Sequence, residues 1–479
     1  MKPFLRLQLL EAHAAQCHWA DRPLSERLRI VRAFRHLLAT EAEAVAATAL
    51  GPSFRDPAEI LAAEFLPLVD ACRFLERQAP SILAPRHVGG RGRALWLWGA
   101  QATVWREPCG VVLIVAPSNY PLFLPGVQLL QALVAGNAVL LKPGHGGTAA
   151  ARELDRLLRL AGLPAGLVQV LPEAVESVQA ALEVGVQKVV FTGSAAVGTQ
   201  ILSELAVRAI PATMELSGCD AVFVRADADL DLAVRALVFG LRLNSGQTCI
   251  APRRVFVARA VATELEGRLA EALCHCPLSV LAPDPTARLL PLLVQALGTG
   301  AHLLCGEVHS GQTLIGPLVL AGISLSSRLL QEDFFAPVML IVTVSGDDEA
   351  LAFAANGPYA LGATIFSRDR QAAHSLAQRV NAGAVVINDM IVPTADARLP
   401  FGGRKLSGFG VTRGPEGLLE MTTHKVISVR SGRRHPHLDA PASGDGQLFG
   451  AYLVLAHAKG FGLRCRALFR LLRSLFQRR

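Results

Sequence analysis

A cysteine after a glycine-containing turn, a glutamate among apolar residues and a strand-to-helix joint of small residues could do chemistry together. The cysteine is Cys249 in NSGQTCIAP (244–252), the glutamate is Glu215 in MELSG (214–218), and the joint is FTGSAAVG (191–198), with Gly193 and Ser194. Each is bland alone. Buried cysteines are usually inert core, lone glutamates usually face water, and strand-Gly-Ser-helix turns are common. In this order they offer a nucleophile, a base and a helix start where a phosphate can sit on backbone N–H groups. That set suits an oxidation with a nucleotide cofactor, although the sequence lacks the G-x-G-x-x-G fingerprint of standard dinucleotide folds.

To position these groups the chain must bring several strand ends together. VVLIV (111–115) reads as a buried strand, followed by APSNYP and an apolar helix to about Ala135. Gly136-Asn137 turns the chain into AVLLKP, a second buried strand. A helix from about Thr148, the strand LVQVL, a helix from Glu173 and the strand KVVFTG follow. This β-α-β-α-β alternation predicts a parallel, doubly wound sheet with ligands beyond the carboxyl ends of its strands. APSN with Asn119, LKPG with Lys142, and FTGS all stand at such ends. Upstream, Leu24, Leu28, Ile30, Val31, Phe34 and Leu37 form a helical stripe, and the first ninety residues read as helices. After a basic, glycine-containing break (86–93), ALWLWGA and ATVWREP read as two short strands joined by a turn. A further α/β stretch runs from about 219 to 400, and the glycine-rich LPFGGRKLSGFGVTRGPEGLLEMTTHKV closes the body.

With 479 residues, 51% of them apolar, the chain exceeds one core and suits a large α/β enzyme of two or three domains. Nine cysteines, an odd number without framework spacing, read as reduced thiols and hence a cytoplasmic protein. The start, MKPFLRLQLLEAHAAQC, meets Glu11 too soon for a secretory segment, and no stretch forms a clean membrane-spanning helix. The net charge of +8 does not point to nucleic acid. Residues 431–479 hold nine Lys/Arg against two Asp, a surplus of seven, which leaves the body nearly neutral. Cys274-His275-Cys276 reads as structural thiols, because three ligands in a row cannot wrap one zinc ion. No metal is expected.

APSNYP, LLKPG, FTGSAAVG, MELSG, SGQTCIAP, EDFFAPV and PFGGRKLSGFG stand in the order and approximate spacing of the aldehyde dehydrogenase superfamily, which the chain resembles from about 20 to 430. The amino-terminal region and VVINDMIVP most resemble the class 3 branch, which acts on fatty and aromatic aldehydes. The resemblance implies an α/β fold of two doubly wound parallel-sheet domains plus a small β oligomerisation segment. It divides the chain into an NAD(P)-binding domain (1–93 and 108–218), a catalytic domain (219–400) and an oligomerisation segment (94–107 and 401–430). A linker (431–447) and a basic amphipathic tail (448–479) follow. A homodimer or homotetramer, an aldehyde substrate and NAD or NADP as cofactor are implied too.

The same resemblance assigns roles. Cys249 matches the nucleophile, of a kind whose pKa is commonly lowered to about 3.5–7.5. Asn119 matches the side-chain oxyanion donor, with the backbone N–H of Cys249 beside it. Glu215 matches the base that activates water on the thioester, a group that coenzyme-A-acylating relatives generally lack. Lys142 matches the lysine on the adenosine ribose, Gly193 and Ser194 the pyrophosphate turn, and Pro117 the loop beside them. Asp333 and Phe335 fall in the segment that meets the nicotinamide ribose. The alternative is a catalytically silent relative kept as a scaffold or binding protein.

Three positions depart from the family's pattern. His145 stands where a glutamate usually reaches the adenosine ribose, which removes a carboxylate's repulsion and predicts that NADP is tolerated or preferred. Asp333 is one methylene shorter than the usual glutamate of its motif, and Ala336 replaces a glycine. Cys219 replaces a common lysine and reads as packing.

In the tail, Leu468, Leu471, Leu472, Leu475 and Phe476 recur at helical spacing, while Arg464, Arg466, Arg470 and Arg473 occupy largely other positions. Two readings stay open: peripheral contact with an anionic membrane surface, or packing on the enzyme's own body or a partner subunit.

Overall fold

The computed structural model describes residues 2–49, 56–309, 313–431 and 436–477. The chain forms two compact units, one of Met1–Pro85 with Trp105–Lys425 and the other of Arg86–Val104 with Val426–Arg479.

In the larger unit the helical stripe of the sequence becomes the buried face of the helix Leu24–Thr40, with Leu28, Ile30, Val31, Phe34 and Leu38 inside. Burying each such aliphatic or aromatic side chain is worth about 1.5–3 kcal/mol. The indole N–H of Trp19 donates to the Leu133 carbonyl at 2.8 Å, fastening the first helix, Lys2–Ala20, to the helix Phe123–Ala135. Between Pro57–Ile60 and Leu66–Ile82 the chain makes a π-helical turn, Leu61–Phe65. It carries the fully buried Glu64, whose carboxylate accepts the N–H groups of Leu122 and Phe123 at 3.1 and 2.9 Å. A side-chain oxygen thus caps the amino-terminal N–H groups of the helix that follows Asn119.

Six strands form the first sheet, in the order Gly408–Phe409, Ala212–Glu215, Lys188–Thr192, Val111–Val115, Ala138–Lys142, Val168–Val170. All neighbours are parallel except the first pair. Val111–Val115 and Lys188–Thr192 are buried at every position, which is why VVLIV and the VVF of the second strand read as apolar runs. The strand order reverses between these two, so the crevice beyond their carboxyl ends, at Pro117–Asn119 and Gly193–Ser194, is the natural ligand position.

The second sheet runs Ser279–Val280, Thr313–Ala321, Val338–Val344, Pro252–Ala258, Asp220–Val224, Gly362–Phe366, Ala384–Ile387. Its five central and far pairings are parallel. An antiparallel margin, made by Ser279–Val280 and by His302–His309 against Thr313–Ala321, adds to the expected wound topology.

In the small three-stranded sheet the order is Arg86–Val88, Ala100–Pro108, Thr422–Arg430. The pair of strands expected within 94–107 is one strand, because Leu95–Leu97 is a 3₁₀ turn closed by Gly99 at φ 84°. Its antiparallel partner comes instead from the basic segment before it. The tail holds two helices, Asp445–His457 and Phe461–Gln477, joined where Arg464 Nε donates to the Leu455 carbonyl at 2.8 Å. No described helix is long and apolar enough to cross a membrane.

Candidate active site

Cys249 follows a turn the chain makes only under constraint. Asn244, Ser245 and Gly246 have φ of 50°, 52° and 70°, three consecutive residues in left-handed conformation. Polar contacts hold them. Glu59 Oε1 accepts the Asn244 N–H at 2.9 Å, and the Asn244 side chain donates to the Asn119 carbonyl at 2.9 Å. The Asn119 amide donates to the Gln247 carbonyl at 2.9 Å, and the Tyr120 and Thr248 hydroxyls meet at 2.6 Å. Buried Arg253 binds the carbonyls of Gly246, at 2.6 Å, and Ala336. The Asn119 turn and the Cys249 turn are therefore one hydrogen-bonded body. An amide has two N–H groups, and Asn119 spends one here.

Glu215 ends the strand Ala212–Glu215 and is buried. Its Oε2 accepts the Thr412 hydroxyl at 3.1 Å, while Oε1 is buried with no partner among the described residues. Burial raises its pKa above the ordinary carboxylate value, against the pull of the Arg413 guanidinium and the Thr412 bond. A Cβ on Gly218 would lie 2.3 Å from the Cys249 carbonyl, so only glycine lets the chain leaving Glu215 pass this close to the nucleophile's turn.

Partly buried Cys249 does not show the lowered pKa that the sequence suggested. Burial, followed by the carboxylates of Glu215, Asp220 and Asp333, holds its thiol well above the usual range, with Arg413 opposing. Attack therefore requires a base to take the thiol proton.

Asn119, Glu215, Cys249, Phe335, Phe401 and Arg413 line one cleft of about 1720 Å³. Pro117, Lys142, His145, Gly193 and Ser194 lie outside its walls, around the strand-end crevice. Lys142 ends its strand half-buried, its pKa lowered by burial and partly restored by Glu173. Ser194 caps the helix Ala195–Arg208, accepting the Val197 N–H at 3.3 Å, and Gly193 precedes it. A Cβ on Gly144 would lie 2.3 Å from the Pro117 carbonyl, which packs the lysine's loop against the loop of Pro117. A cation, a helix amino terminus and two close backbone turns at a switch point fit a dinucleotide.

The crevice also holds a carboxylate that the sequence did not reveal. His145 is fully exposed, its Nδ1 3.8 Å from Glu173 Oε2. Glu173 accepts the Thr148 hydroxyl at 2.5 Å and the N–H groups of Thr148 and Gly146 at 3.0 Å, which hold it below the usual carboxylate range. Asp333 is buried, and its Oδ1 accepts the Phe335 N–H at 3.0 Å, fixing Phe335 at φ 44°. Cys219 is buried, with its thiol pushed up to about 11 by burial and its Sγ 3.3 Å from the Glu332 carbonyl.

Sequence reasoning missed Arg413, Thr412, Asn244 and Glu59. Asn244 stood in the quoted NSGQTC motif. The others gave no signal beyond being polar residues in loops or short helices.

Comparison with known proteins agrees with this geometry. The sequence profile described as the aldehyde dehydrogenase family matches residues 8–427. The chain is 31% identical to 4,4'-diapolycopene aldehyde oxidase of Methylomonas sp over 431 residues, 88% of this chain and 81% of that protein. It is 36% identical to vanillin dehydrogenase of Pseudomonas fluorescens over 354 residues, 70% and 73% of the two chains. Among solved structures, an aldehyde dehydrogenase of Mycobacterium tuberculosis complexed with NAD+ is similar at a TM-score of 0.81, with 27% identity over 89% of this chain and 90% of that one. An NADP-dependent glyceraldehyde-3-phosphate dehydrogenase of Bacillus halodurans C-125, complexed with NADP, gives 0.79, with 29% identity over 90% and 92%. The fold and cleft belong to an NAD(P)-dependent oxidoreductase. The chain belongs to the aldehyde dehydrogenase family.

Proposed function

We propose that this protein oxidises an apolar aldehyde, of medium or long chain or lipid-derived, to the carboxylic acid through a thioester on Cys249. The observation that carries the reading is the meeting of Cys249, Asn119 and the unpartnered Glu215 Oε1 in one cleft. The thiol gives up its proton to water in the cleft, and the thiolate attacks the carbonyl carbon, forming a thiohemiacetal oxyanion. The second Asn119 N–H and the backbone N–H of Cys249 stabilise the oxyanion. When bound, the dinucleotide supplies the hydride acceptor. Cys249 then carries the acyl group as a thioester, and Glu215 takes a proton from the water that hydrolyses it.

For the cofactor, Lys142 would hold the adenosine ribose, and Gly193 and Ser194 the pyrophosphate, beside Pro117. Phe335, fixed by Asp333, would meet the nicotinamide ribose. His145 stands at the rim of that site. Residues 1–93 with 108–218 would bind the dinucleotide, 219–400 would carry the nucleophile, and 94–107 with 401–430 would join subunits of a dimer or tetramer. The linker 431–447 would lead to a tail, 448–479, that makes peripheral contact with a membrane.

The apolar substrate rests on Leu124, Ile250, Met390, Val392 and Phe401 in the cleft wall. It also suits a placement in the class 3 branch and the name of the diapolycopene relative. The test is NADH and NADPH formation by the purified protein with a saturated C6–C16 aldehyde series, beside Cys249→Ala. Turnover that depends on Cys249 and rises with chain length is expected. Equal turnover in Cys249→Ala would overturn the mechanism, and a preference for short or charged aldehydes would overturn the substrate class.

A further inference from the structure

We propose that Arg413 is the positioning cation of the Cys249–Glu215 pair, a guanidinium built into the cleft wall to balance whichever of the two carries negative charge. The inference rests on the reading of Cys249 as nucleophile and Glu215 as base.

The side chain is 5% exposed and lines the same cleft as both groups. It is held rigidly. Nη1 donates to the Thr394 carbonyl at 2.6 Å, and the guanidinium carbon lies 4.3 Å from the centre of the Phe401 ring and 5.7 Å from that of Phe123. The backbone of Arg413 has φ 62°, an uncommon conformation for a residue with a side chain. Its carbonyl accepts the Gly417 N–H at 2.8 Å, which anchors the turn. The preceding residue, Thr412, is the one that donates to Glu215 Oε2. One short segment therefore fixes an oxygen of the base and places a buried guanidinium in the wall of the same cleft.

A buried cation is costly unless something nearby uses it. Among the described residues Arg413 makes no ion pair within 4.0 Å, and its Nε has no hydrogen-bond partner. Its charge acts instead on the reacting groups. Around Cys249 stand the carboxylates of Glu215, Asp220 and Asp333, and Arg413 is the cation that opposes them. Around Glu215, burial favours the neutral acid, and Arg413 with the Thr412 hydroxyl favours the anion. Negative charge belongs to Cys249 before attack and to Glu215 before hydrolysis. A fixed positive charge in the wall they share serves each step without touching substrate.

The test uses full-length protein and two neutral variants, Arg413→Met and Arg413→Gln, the second keeping a donor for the Thr394 carbonyl. Arg413→Lys keeps the charge. The readouts are the pH profile of kcat and the pH dependence of Cys249 alkylation by iodoacetamide. Melting curves and the Kd of the dinucleotide serve as controls for folding. In the neutral variants the acid limb of kcat moves up by about one pH unit, and alkylation at neutral pH slows about tenfold. Arg413→Lys recovers most of both shifts. Superimposable profiles in a folded neutral variant would overturn the proposal, as would a lysine variant shifted as far as the neutral ones. Cys249→Ala and Glu215→Gln run in parallel and separate the two levels. If turnover survives Cys249→Ala, the parent reading fails. If turnover depends on both residues while the Arg413 variants leave the profiles in place, only this inference fails.

Discussion

The side-chain amide of Asn244 donates to the backbone carbonyl of Asn119 at 2.9 Å, tying the nucleophile's turn to the turn of the oxyanion donor. The Asn119 amide answers with its own bond to the Gln247 carbonyl, so the joint is double. Asn244 sits at φ 50°, a conformation that asparagine tolerates better than most residues. Asn244→Ala loses both the bond and that tolerance. Displacing a reacting group by about 1 Å can cost about 100-fold in rate, and kcat is expected to fall by about 10- to 100-fold with little change in the Kd of the dinucleotide. Steady-state kinetics with one aldehyde would check this. An unchanged kcat would show that the turns keep register without the bond.

Glu215→Gln keeps an oxygen for the Thr412 hydroxyl but removes the base. One equivalent of reduced cofactor should form quickly, followed by steady turnover slower by about 10²- to 10⁴-fold, with an acyl group on Cys249 detectable by mass. The pH dependence has a definite sign. The base works deprotonated and burial raises its pKa, so activity should climb with pH through a value above the ordinary 4.5. A wild-type hydrolysis rate already flat from about pH 5 upward would contradict the assignment.

The first sheet was legible in the sequence because its central strands are buried on both faces and read as apolar runs, VVLIV above all. Gly408–Phe409 and Ser279–Val280, two residues each, have no period to detect, although the first closes the sheet against Glu215. Cys249, Glu215 and Asn119 could be found because each stands at a turn or strand end inside a recognisable motif. Arg413 could not. An arginine in a glycine-rich loop looks solvated, and its burial comes from Thr394 and Phe401 in the loops before it and from Phe123, far away in the chain. Glu173 escaped for a related reason. The family's carboxylate stands three residues after the lysine, the place His145 holds here, whereas this one arrives from beyond another strand.

That carboxylate changes the expectation for the cofactor. Glu173 stands 3.8 Å from the exposed His145 ring and acts electrostatically on Lys142. A 2′-phosphate placed beside it would be repelled by about 1 kcal/mol at 4 Å in water, roughly fivefold in affinity. Glu173→Gln should therefore raise the efficiency ratio of NADP to NAD by about that factor, and His145→Ala should change it less. Kd values for both dinucleotides, from fluorescence, check the effect apart from turnover. A ratio unmoved by Glu173→Gln would place the adenosine ribose away from this residue.

The helix Phe461–Gln477 leaves Leu468, Phe469, Leu472, Leu475 and Phe476 exposed, with four arginines along the same helix. If it lies on an anionic surface, the full chain should co-sediment with phosphatidylserine-containing vesicles and not with phosphatidylcholine alone. Each basic group adds about 1 kcal/mol near such a surface, so Arg470→Glu with Arg473→Glu should weaken binding strongly, and added salt should do the same. Removing 440–479 should abolish it. Vesicle binding that survives this truncation would take the tail out of the contact.

Asp220 carries a pH dependence of stability. It is buried at the start of the strand Asp220–Val224, and its Oδ1 accepts the Gly362 N–H at 3.0 Å. Burial pushes its pKa up from 3.8 to about 7, against that hydrogen bond and the pull of Arg254 and Arg253. A carboxyl raised in the folded state binds its proton more tightly there than in the unfolded chain. Its contribution to stability is therefore complete below 3.8 and is lost as pH rises through about 7. Asp220→Asn keeps an oxygen for the Gly362 N–H and cannot ionise. The variant should be the more stable protein above neutrality, by an amount on the order of a few kcal/mol, and the gap should close towards acid pH. Urea unfolding at several pH values measures it. A gap that stays constant with pH would mean that Asp220 titrates alike in the folded and unfolded chains.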